Sequence, residues 1–168
     1  VCHPKIKPEI MKLTSFTEDM LARGLAPDAK TLDLLFDIPP QRVQQAFEIG
    51  LHEKVWCVKR LRFANGEPVG LHDLYIPPRL KFAPYDLMNM KSYYQLLMEQ
   101  HALIPAHAIE TLTAVNASRS EANLLKTPEG ASLLVIWRTT YSKNDQILEV
   151  VRIAYRADRY EYTVQLYR

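Results

Sequence analysis

The sequence predicts an α+β domain, in which about six antiparallel strands form one sheet and short helices are interleaved between them. Three observations support this prediction: a strong hairpin signal near the middle of the chain, further segments with alternating apolar residues, and short amphipathic segments with capping residues. The hairpin comprises residues 55–63 and 68–76, joined by Ala64-Asn65-Gly66-Glu67. Asn-Gly is favoured in a type I′ turn because both central residues need positive φ.

Two arginines lie on one face of the first hairpin strand. Period-two alternation places Arg60 and Arg62 on the same face as Trp56 and Val58. Two guanidinium groups on one face of a stiff strand suit bidentate capture of a phosphate or a carboxylate. The strand pattern by itself favours the alternative, in which both side chains belong to the solvated face of an antiparallel strand.

The chain before the hairpin begins with residues 1–13, whose prolines and charges are typical of an extended, solvated linker. Ser15 and Glu18 then have the spacing of a capping box, so a helix should begin here and end at Gly24. The first N–H groups of such a helix form an anion site by geometry. For Ser15 and Thr17 considered alone, simple capping is the preferred explanation.

The remaining elements follow from apolar periodicity and from breaking residues. In chain order they are a strand over 31–38, a helix over 41–48 that stops at Gly50, an irregular connection over 79–90, a helix over 92–100, a strand over 106–117, a helix over 118–126, and strands over 132–142, 147–156 and 160–168. In the first of these strands, four apolar residues alternate with aspartates and indicate a half-buried strand: Leu32, Leu34, Phe36 and Ile38.

Two polar positions on the later elements depart from the core pattern. Tyr94 lies on a different helix face from the apolar residues of its helix, so its side chain is free to point elsewhere. Glu149 shares one strand face with Val151, Ile153 and Tyr155. A charged residue on an otherwise apolar face indicates that this face lines a polar cavity.

Composition excludes several classes of protein. The length of 168 residues fits one domain with a real core, and the formal charge of +2 is too small to predict a nucleic-acid surface. The sequence contains no apolar run of membrane-spanning length and no secretory signal, so we expect a cytoplasmic protein without membrane contact. With only Cys2 and Cys57 present, a buried free thiol at Cys57 is favoured over a disulfide.

Sequence motifs for catalysis and metal binding are absent. There is no glycine-rich phosphate loop, no paired-histidine zinc motif and no nucleophile elbow. The five histidines are scattered without metal-ligand spacing, and neither cysteine has a second cysteine at the spacing of a zinc site. We therefore expect no metal, no cofactor and no catalytic residue.

Several groups of residues occur in a succession that is highly specific, although no single group is diagnostic. They are Leu13–Met20 with Arg23-Gly24, Lys59–Arg62 with Asn65–Pro68, Ser92–Leu97, Ile109–Leu112, Glu121–Leu125, Leu133–Tyr141 and Tyr155–Tyr160. In this order and spacing, the chain resembles the UTRA domain, the effector-binding half of HutC-type transcription regulators in the GntR family. Residues 1–6 are also similar to the linker that follows the DNA-binding wing in such regulators.

The resemblance implies a chorismate lyase-like fold and two parts of the chain. Residues 1–13 would be the linker from a missing N-terminal winged-helix domain, and residues 14–168 would be the UTRA domain for effector binding and dimerisation. The regulator would act as a homodimer that contacts DNA only through the missing domain. Its effector would be a small anionic metabolite, such as a phosphorylated sugar or amino sugar.

The resemblance also implies which residues bind the effector. Those that would hold the anion are Ser15, Phe16, Thr17, Arg60, Arg62, Ser92 and Tyr94. Glu149 and Tyr155 would face the rest of the ligand. His72 would lie at the pocket edge, where the family commonly has glutamate, and residues 100–102 lack an arginine that some sugar-phosphate binders carry.

The resemblance and the residue pattern select the same positions. Together they favour ligand binding by Arg60 and Arg62 over the alternative of a solvated strand face. We expect alanine at either position to change stability little, since two like charges on a partly open face do not hold a core. For Arg138, Asp158 and Arg159, which also match family positions, a structural ion pair is at least as good an explanation.

Two other functions are open at this point. A chorismate lyase-type enzyme would share the fold, and an upstream winged helix would argue against it. A dimerisation domain without a ligand would instead bury the arginine face against protein.

Overall fold

Residues 12–163, the part of the chain that the structure describes, form five helices and six strands in a computed structural model. The helices are α1 (Phe16–Ala22), α2 (Gln41–Phe47), α3 (Pro84–Asn89), α4 (Tyr93–His101) and α5 (Arg119–Leu125). The strands are β1 (Pro27–Asp37), β2 (Val55–Ala64), β3 (Glu67–Ile76), β4 (Pro105–Asn116), β5 (Ser132–Ser142) and β6 (Ile147–Arg156). The predicted α+β class is confirmed.

All six strands join one antiparallel sheet in the order β1-β2-β3-β6-β5-β4. The edges of the sheet are therefore β1 and β4. The predicted hairpin is formed by β2 and β3, and its turn has Asn65 at φ 51° and Gly66 at φ 78°. These are the two positive φ angles that a type I′ turn requires.

Apolar side chains form a core on each face of the sheet. In the larger core, helices α1, α3 and α4 contribute the fully buried Met20, Leu87 and Leu97. In the smaller core, α5 contributes Ala122 and Leu125. Fully burying one such leucine side chain stabilises the fold by about 1.5–3 kcal/mol, so these contacts fix the helices to the sheet. The candidate site lies on the side of the larger core.

The predicted alternation along the first strand is wrong in one respect. β1 begins at Pro27, and its pairing with β2 shifts between Thr31 and Asp33, as in a β-bulge. The extra residue lets Leu32 pack on the smaller core and Leu34 on the larger core, instead of placing both on one face.

Two predicted boundaries in the first half of the chain also differ from the structure. Residues 79–90 are not wholly irregular, because they contain α3, which begins at Pro84. Proline suits the first helical position, where its missing N–H has no partner to lose. Helix α2 ends where Glu48 adopts a left-handed φ of 55°, before the predicted stop at Gly50.

The predicted strand over 160–168 is wrong in the part that the structure describes. Tyr160 makes a single bridge, and residues 161–163 have no regular secondary structure. Residues 164–168 lie outside the described range. The Tyr160 ring stacks on Tyr155 at a centroid distance of 3.9 Å, so this segment is held by side-chain packing rather than by a ladder.

Cys57 is a free thiol, as predicted, but it is half-buried. Burial raises the pKa of this thiol to about 12. Cys2 and most of the predicted linker lie outside the described residues. Among the helices described here, none combines the length and the apolar composition that crossing a membrane requires.

Candidate functional site

A cleft of about 370 Å³ lies between the starts of α1 and α4. Its walls include Ser15 and Thr17 at one helix start and Ser92 and Tyr94 at the other. Ser15 forms the predicted capping box with Glu18, and Ser92 caps α4 through its side chain. The caps fix both helix starts, and the cleft therefore brings together four of the predicted site residues.

Arg60 is 1% exposed and reaches from β2 to the segment that precedes α4. Its Nη2 donates to the backbone carbonyls of Met90, at 2.7 Å, and Lys91, at 3.2 Å. Its Nε and Nη1 are also buried, but they have no hydrogen-bond partner among the described residues. An unsatisfied buried donor costs about 1–3 kcal/mol, and more when it is charged, so this guanidinium has capacity for a further acceptor.

The burial of both arginines corrects one expectation from the sequence. Arg62 is 8% exposed, so the two charges do not lie on a partly open face. Arg60 connects β2 to the carbonyl of Met90, and replacing it removes a contact that holds the start of α4 near the sheet. The stated reason for expecting little change in stability is therefore wrong.

Arg62 belongs to a cluster of rings on the same face of the sheet. Its Nε donates to Nδ1 of His72 at 3.3 Å, and its guanidinium carbon lies 5.2 Å from the ring centre of Phe16. The His72 ring meets the rings of Phe16 and Tyr155 edge to face, at centroid distances of 5.8 and 5.7 Å. Contacts of these kinds contribute about 0.5–2 kcal/mol each, so the four side chains hold one another in place.

The protonation states in this cluster follow from burial and from the two positive charges. Burial lowers the pKa of His72 well below its usual value, and the nearby arginines lower it further, so the ring is neutral near pH 7. Because Nδ1 accepts a hydrogen bond from Arg62, the ring proton is on Nε2. Burial lowers the pKa of Arg60 to about 9 and that of Arg62 to about 10, so both remain positive at neutral pH.

Glu149, on β6, is a further buried charged residue at the site, with 5% exposure. Its Oε1 accepts hydrogen bonds from Thr140 Oγ1 at 2.8 Å and from the Tyr94 hydroxyl at 3.0 Å. Burial raises the pKa of this carboxyl, and Arg138 opposes the rise. Tyr94 thus connects the buried carboxylate to the cleft.

Tyr155 occupies space that Gly70 leaves open on the neighbouring strand. A Cβ atom at Gly70 would lie 2.6 Å from the Tyr155 ring. Gly70 is also the cross-strand partner of Arg62, so the missing side chain lets the tyrosine ring lie over β3 next to the arginine position. Gly70 is absent from the predicted site, although a glycine inside a strand indicates the close approach of another group.

Arg138 connects the start of α1 to one edge of the sheet. Its Nε donates to Glu110 Oε1 at 2.6 Å, and its Nη1 donates to the backbone carbonyl of Thr14 at 3.3 Å. The hydroxyl of Tyr162 donates to the other oxygen of Glu110 at 2.8 Å. The ion-pair explanation for Arg138 therefore agrees with the structure, and the residue also anchors the segment before α1.

Asp158 and Arg159 also form ion pairs. Asp158 accepts from Arg156 at 2.7 Å, and Arg159 lies 2.5 Å from Glu67. Both pairs connect the turn after β6 to neighbouring elements, so the structural explanation suffices for these two residues as well.

A family model described as the UTRA domain matches residues 22–161. The chain belongs to the UTRA domain family. The match contains all six strands of this UTRA domain and all predicted site residues except Ser15, Phe16 and Thr17.

Two relatives of this UTRA domain are transcriptional regulators. The HTH-type transcriptional repressor NagR of Bacillus subtilis is 30% identical over 162 residues, which are 96% of this chain and 67% of NagR. The HTH-type transcriptional regulator Rv0792c of Mycobacterium tuberculosis is 29% identical over 158 residues, which are 92% of this chain and 58% of Rv0792c. The chain thus spans only part of the length of each relative.

A solved structure shows the same fold as this UTRA domain. The effector domain of PhnF from Mycobacterium smegmatis matches with a TM-score of 0.82 at 20% identity, over 97% of this chain and 100% of the PhnF chain. The likeness confirms the predicted antiparallel sheet with interleaved helices.

The predicted site residues of this UTRA domain form one connected region with two layers. Four of them line the open cleft, namely Ser15, Thr17, Ser92 and Tyr94. The other six are buried, namely Phe16, Arg60, Arg62, His72, Glu149 and Tyr155. Their contact with an effector stays a prediction.

Proposed function

We propose that this chain is the ligand-sensing and dimerisation domain of a bacterial, cytoplasmic GntR-type transcription regulator of the HutC subfamily. Its effector is a small anionic metabolite, such as a phosphorylated sugar or amino sugar, and the predicted site residues bind it. NagR and Rv0792c are transcriptional regulators, which supports a regulatory role over a chorismate lyase-type enzyme.

The observation that carries this proposal is the unused hydrogen-bonding capacity of Arg60 beside Arg62. Two buried positive charges, two residues apart on one strand face, are unfavourable unless an opposite charge joins them. An anion would accept hydrogen bonds from Arg60 Nε and Nη1, and each charge-assisted bond contributes about 1.5–3 kcal/mol. Anion binding would therefore supply acceptors for the two Arg60 nitrogens that have none among the described residues, in addition to the electrostatic interaction that Glu149 already gives Arg62.

Glu149 supports the assignment of the other end of the ligand. A buried carboxylate held by the hydroxyl groups of Thr140 and Tyr94 is a suitable acceptor for a hydroxyl or amino group of a ligand. A molecule that carries an oxyanion at one end and hydroxyl or amino groups at the other would satisfy both ends of the site. Phosphorylated sugars and amino sugars have this chemistry.

A ligand that reaches the buried arginines would have to displace the elements that cover them, and this displacement could be transmitted to a DNA-binding domain. Phe16 of α1 packs on Arg62, and the segment before α4 accepts the hydrogen bonds of Arg60. The bond from Arg138 to Thr14 holds the start of α1. A ligand that displaces α1 would act next to the segment that precedes it, to which we assign the connection to a DNA-binding winged helix. Binding would then favour one arrangement of two DNA-binding domains over another.

The proposed homodimer uses the edge strand β4. This edge exposes three apolar side chains, Ile109, Leu112 and Val115. Two-fold DNA half-sites require a two-fold protein, and an exposed edge strand is a ready surface for pairing with a second copy.

The proposed function is tested by calorimetric titration of the domain with phosphorylated sugars, amino sugars and organic acids. The strongest ligand is then titrated into Arg62→Ala and Arg62→Lys, with Lys59→Ala as a control on the opposite face of the same strand. We expect both Arg62 variants to bind roughly one to two powers of ten more weakly, and the control to bind like the parent.

Melting curves of each variant establish that it is folded before it is titrated. Unchanged affinity in both Arg62 variants would place the site elsewhere. Conversion of chorismate by the domain would support the enzyme alternative instead.

A further inference from the structure

Buried polar atoms without a partner are concentrated at one place in residues 12–163. Residues 12–163 contain four such side-chain atoms. Three of them belong to one pair of residues: Arg60 Nε, Arg60 Nη1 and His72 Nε2. Arg60 and His72 are direct partners in the β2–β3 register. Cβ atoms of directly opposite residues are about 4.5–5.5 Å apart, so the two side chains that carry the three unused donors leave the sheet next to each other.

His72 can only donate a hydrogen bond at this point. Its Nδ1 already accepts from Arg62 Nε at 3.3 Å, which places the ring proton on Nε2. The rings of Phe16 and Tyr155 contact the imidazole edge to face from two sides, and the residue is 6% exposed. The imidazole is therefore held in one orientation, with an unused N–H and no unused acceptor.

We infer that His72 donates its Nε2–H to the same oxyanion that Arg60 binds, and that this third donor selects a phosphoryl group over a carboxylate. The inference rests on the proposed function and adds the class of anion to it. Three donors from two side chains suit a tetrahedral group, whose three terminal oxygens point in different directions, better than a planar group with two oxygens. A neutral imidazole also provides this bond without a third buried positive charge.

The test separates the two nitrogen positions of the imidazole. The side chain of His72→Gln is long enough to place an amide N–H near the Nε2 position, whereas that of His72→Asn reaches only the Nδ1 position. The parent and both variants are titrated with inorganic phosphate and, in parallel, with acetate. Binding is followed by thermal shift and, in the parent, by nitrogen NMR of the imidazole.

We expect His72→Asn to weaken phosphate binding by about tenfold and His72→Gln by less than about threefold. Acetate binding should change by less than about threefold in either variant. In the parent, phosphate should shift the Nε2 resonance of His72 more than acetate does, and this measurement requires no substitution.

The outcomes distinguish this inference from the proposed function. If His72→Asn binds phosphate like the parent while Arg62→Lys binds it more weakly, the inference is wrong and the anion site remains. If phosphate and acetate are weakened equally in His72→Asn, His72 is a donor without selectivity, and the choice of a phosphoryl group is wrong. If phosphate does not bind the parent, the inference fails; if the strongest ligand of the calorimetric screen also binds Arg62→Ala and Arg62→Lys like the parent, the proposed function fails with it.

Discussion

Arg60 combines a structural contact and a candidate ligand contact in one side chain. One nitrogen bonds the carbonyls of Met90 and Lys91, while the other two nitrogens have no partner in the described chain. Replacing this residue has two opposing effects on stability. It removes the donor from the carbonyls of Met90 and Lys91, of which the Met90 bond is buried, and it also removes one of two neighbouring buried positive charges.

We expect Arg60→Ala to lower the free energy of unfolding by about 1–3 kcal/mol. The lost contacts should outweigh the relief of charge repulsion, because alanine restores neither the hydrogen bonds nor the volume of a side chain that is 1% exposed. Urea unfolding measures the difference. Lys59→Ala, on the opposite strand face, removes only a half-exposed ion pair with Asp73 and should change stability by less than about 1 kcal/mol. Equal stability of Arg60→Ala and the parent would show that relief of charge repulsion offsets the lost contacts.

The depressed pKa of His72 predicts how stability depends on pH. Above about pH 6.5 the ring is neutral in the folded and unfolded chains and contributes no pH dependence. Below that pH the unfolded chain binds a proton that the folded chain resists, so stability falls as the pH falls, by up to ~1.4 kcal/mol per pH unit. Glu149 acts in the opposite sense, because burial raises the pKa of its carboxyl and protonation then favours the folded chain.

Comparing the parent with His72→Gln isolates the contribution of the histidine. Urea unfolding at about pH 7.5 and about pH 5.5 should show a smaller acid-induced loss of stability in the variant. Parallel losses in both proteins would mean that His72 is charged in the folded state.

At the scale of elements, the sequence predicted correctly those features that depend on neighbouring residues. The β2–β3 hairpin and the capping box of α1 depend on residues adjacent in the sequence, and both are confirmed. The bulge in β1 was not predictable, because a shift between Thr31 and Asp33 is fixed by pairing with β2 and not by period-two alternation. For the same reason, alternation placed Arg60 and Arg62 on one face but could not show that a segment 30 residues away covers it.

Packing between β3 and β6 at Gly70 provides a prediction at this scale. Gly70→Ala places a Cβ atom 2.6 Å from the Tyr155 ring, so the ring or the strand must move. We expect a loss of about 1–3 kcal/mol in stability and weaker effector binding. Gly50→Ala is the matched control, because a Cβ atom there meets nothing within 4 Å. If both glycine variants unfold at the same urea concentration as the parent, the Tyr155 ring is not held as described.

At the scale of the whole molecule, the two sheet edges differ in how they are protected from pairing. β1 contains a bulge and three aspartates, Asp28, Asp33 and Asp37, which discourage addition of another strand. β4 pairs with β5 without interruption from Ala108 to Asn116. Apart from His107, Glu110 is its one acidic or basic residue. β4 is therefore the edge that suits contact with a second copy.

The proposed dimer should accordingly depend on β4. In sedimentation equilibrium we expect the parent to be a dimer at micromolar concentration, and Ile109→Glu, at a position 61% exposed, to weaken association by roughly tenfold or more. A buried unpaired carboxylate at an interface is costly, whereas the same change on an edge that faces water is not. Leu35→Glu places the same charge on β1 and should leave the dimer intact. Dissociation by Leu35→Glu alone would move the interface to β1, and a parent that stays monomeric at high micromolar concentration would argue against a dimer of this domain.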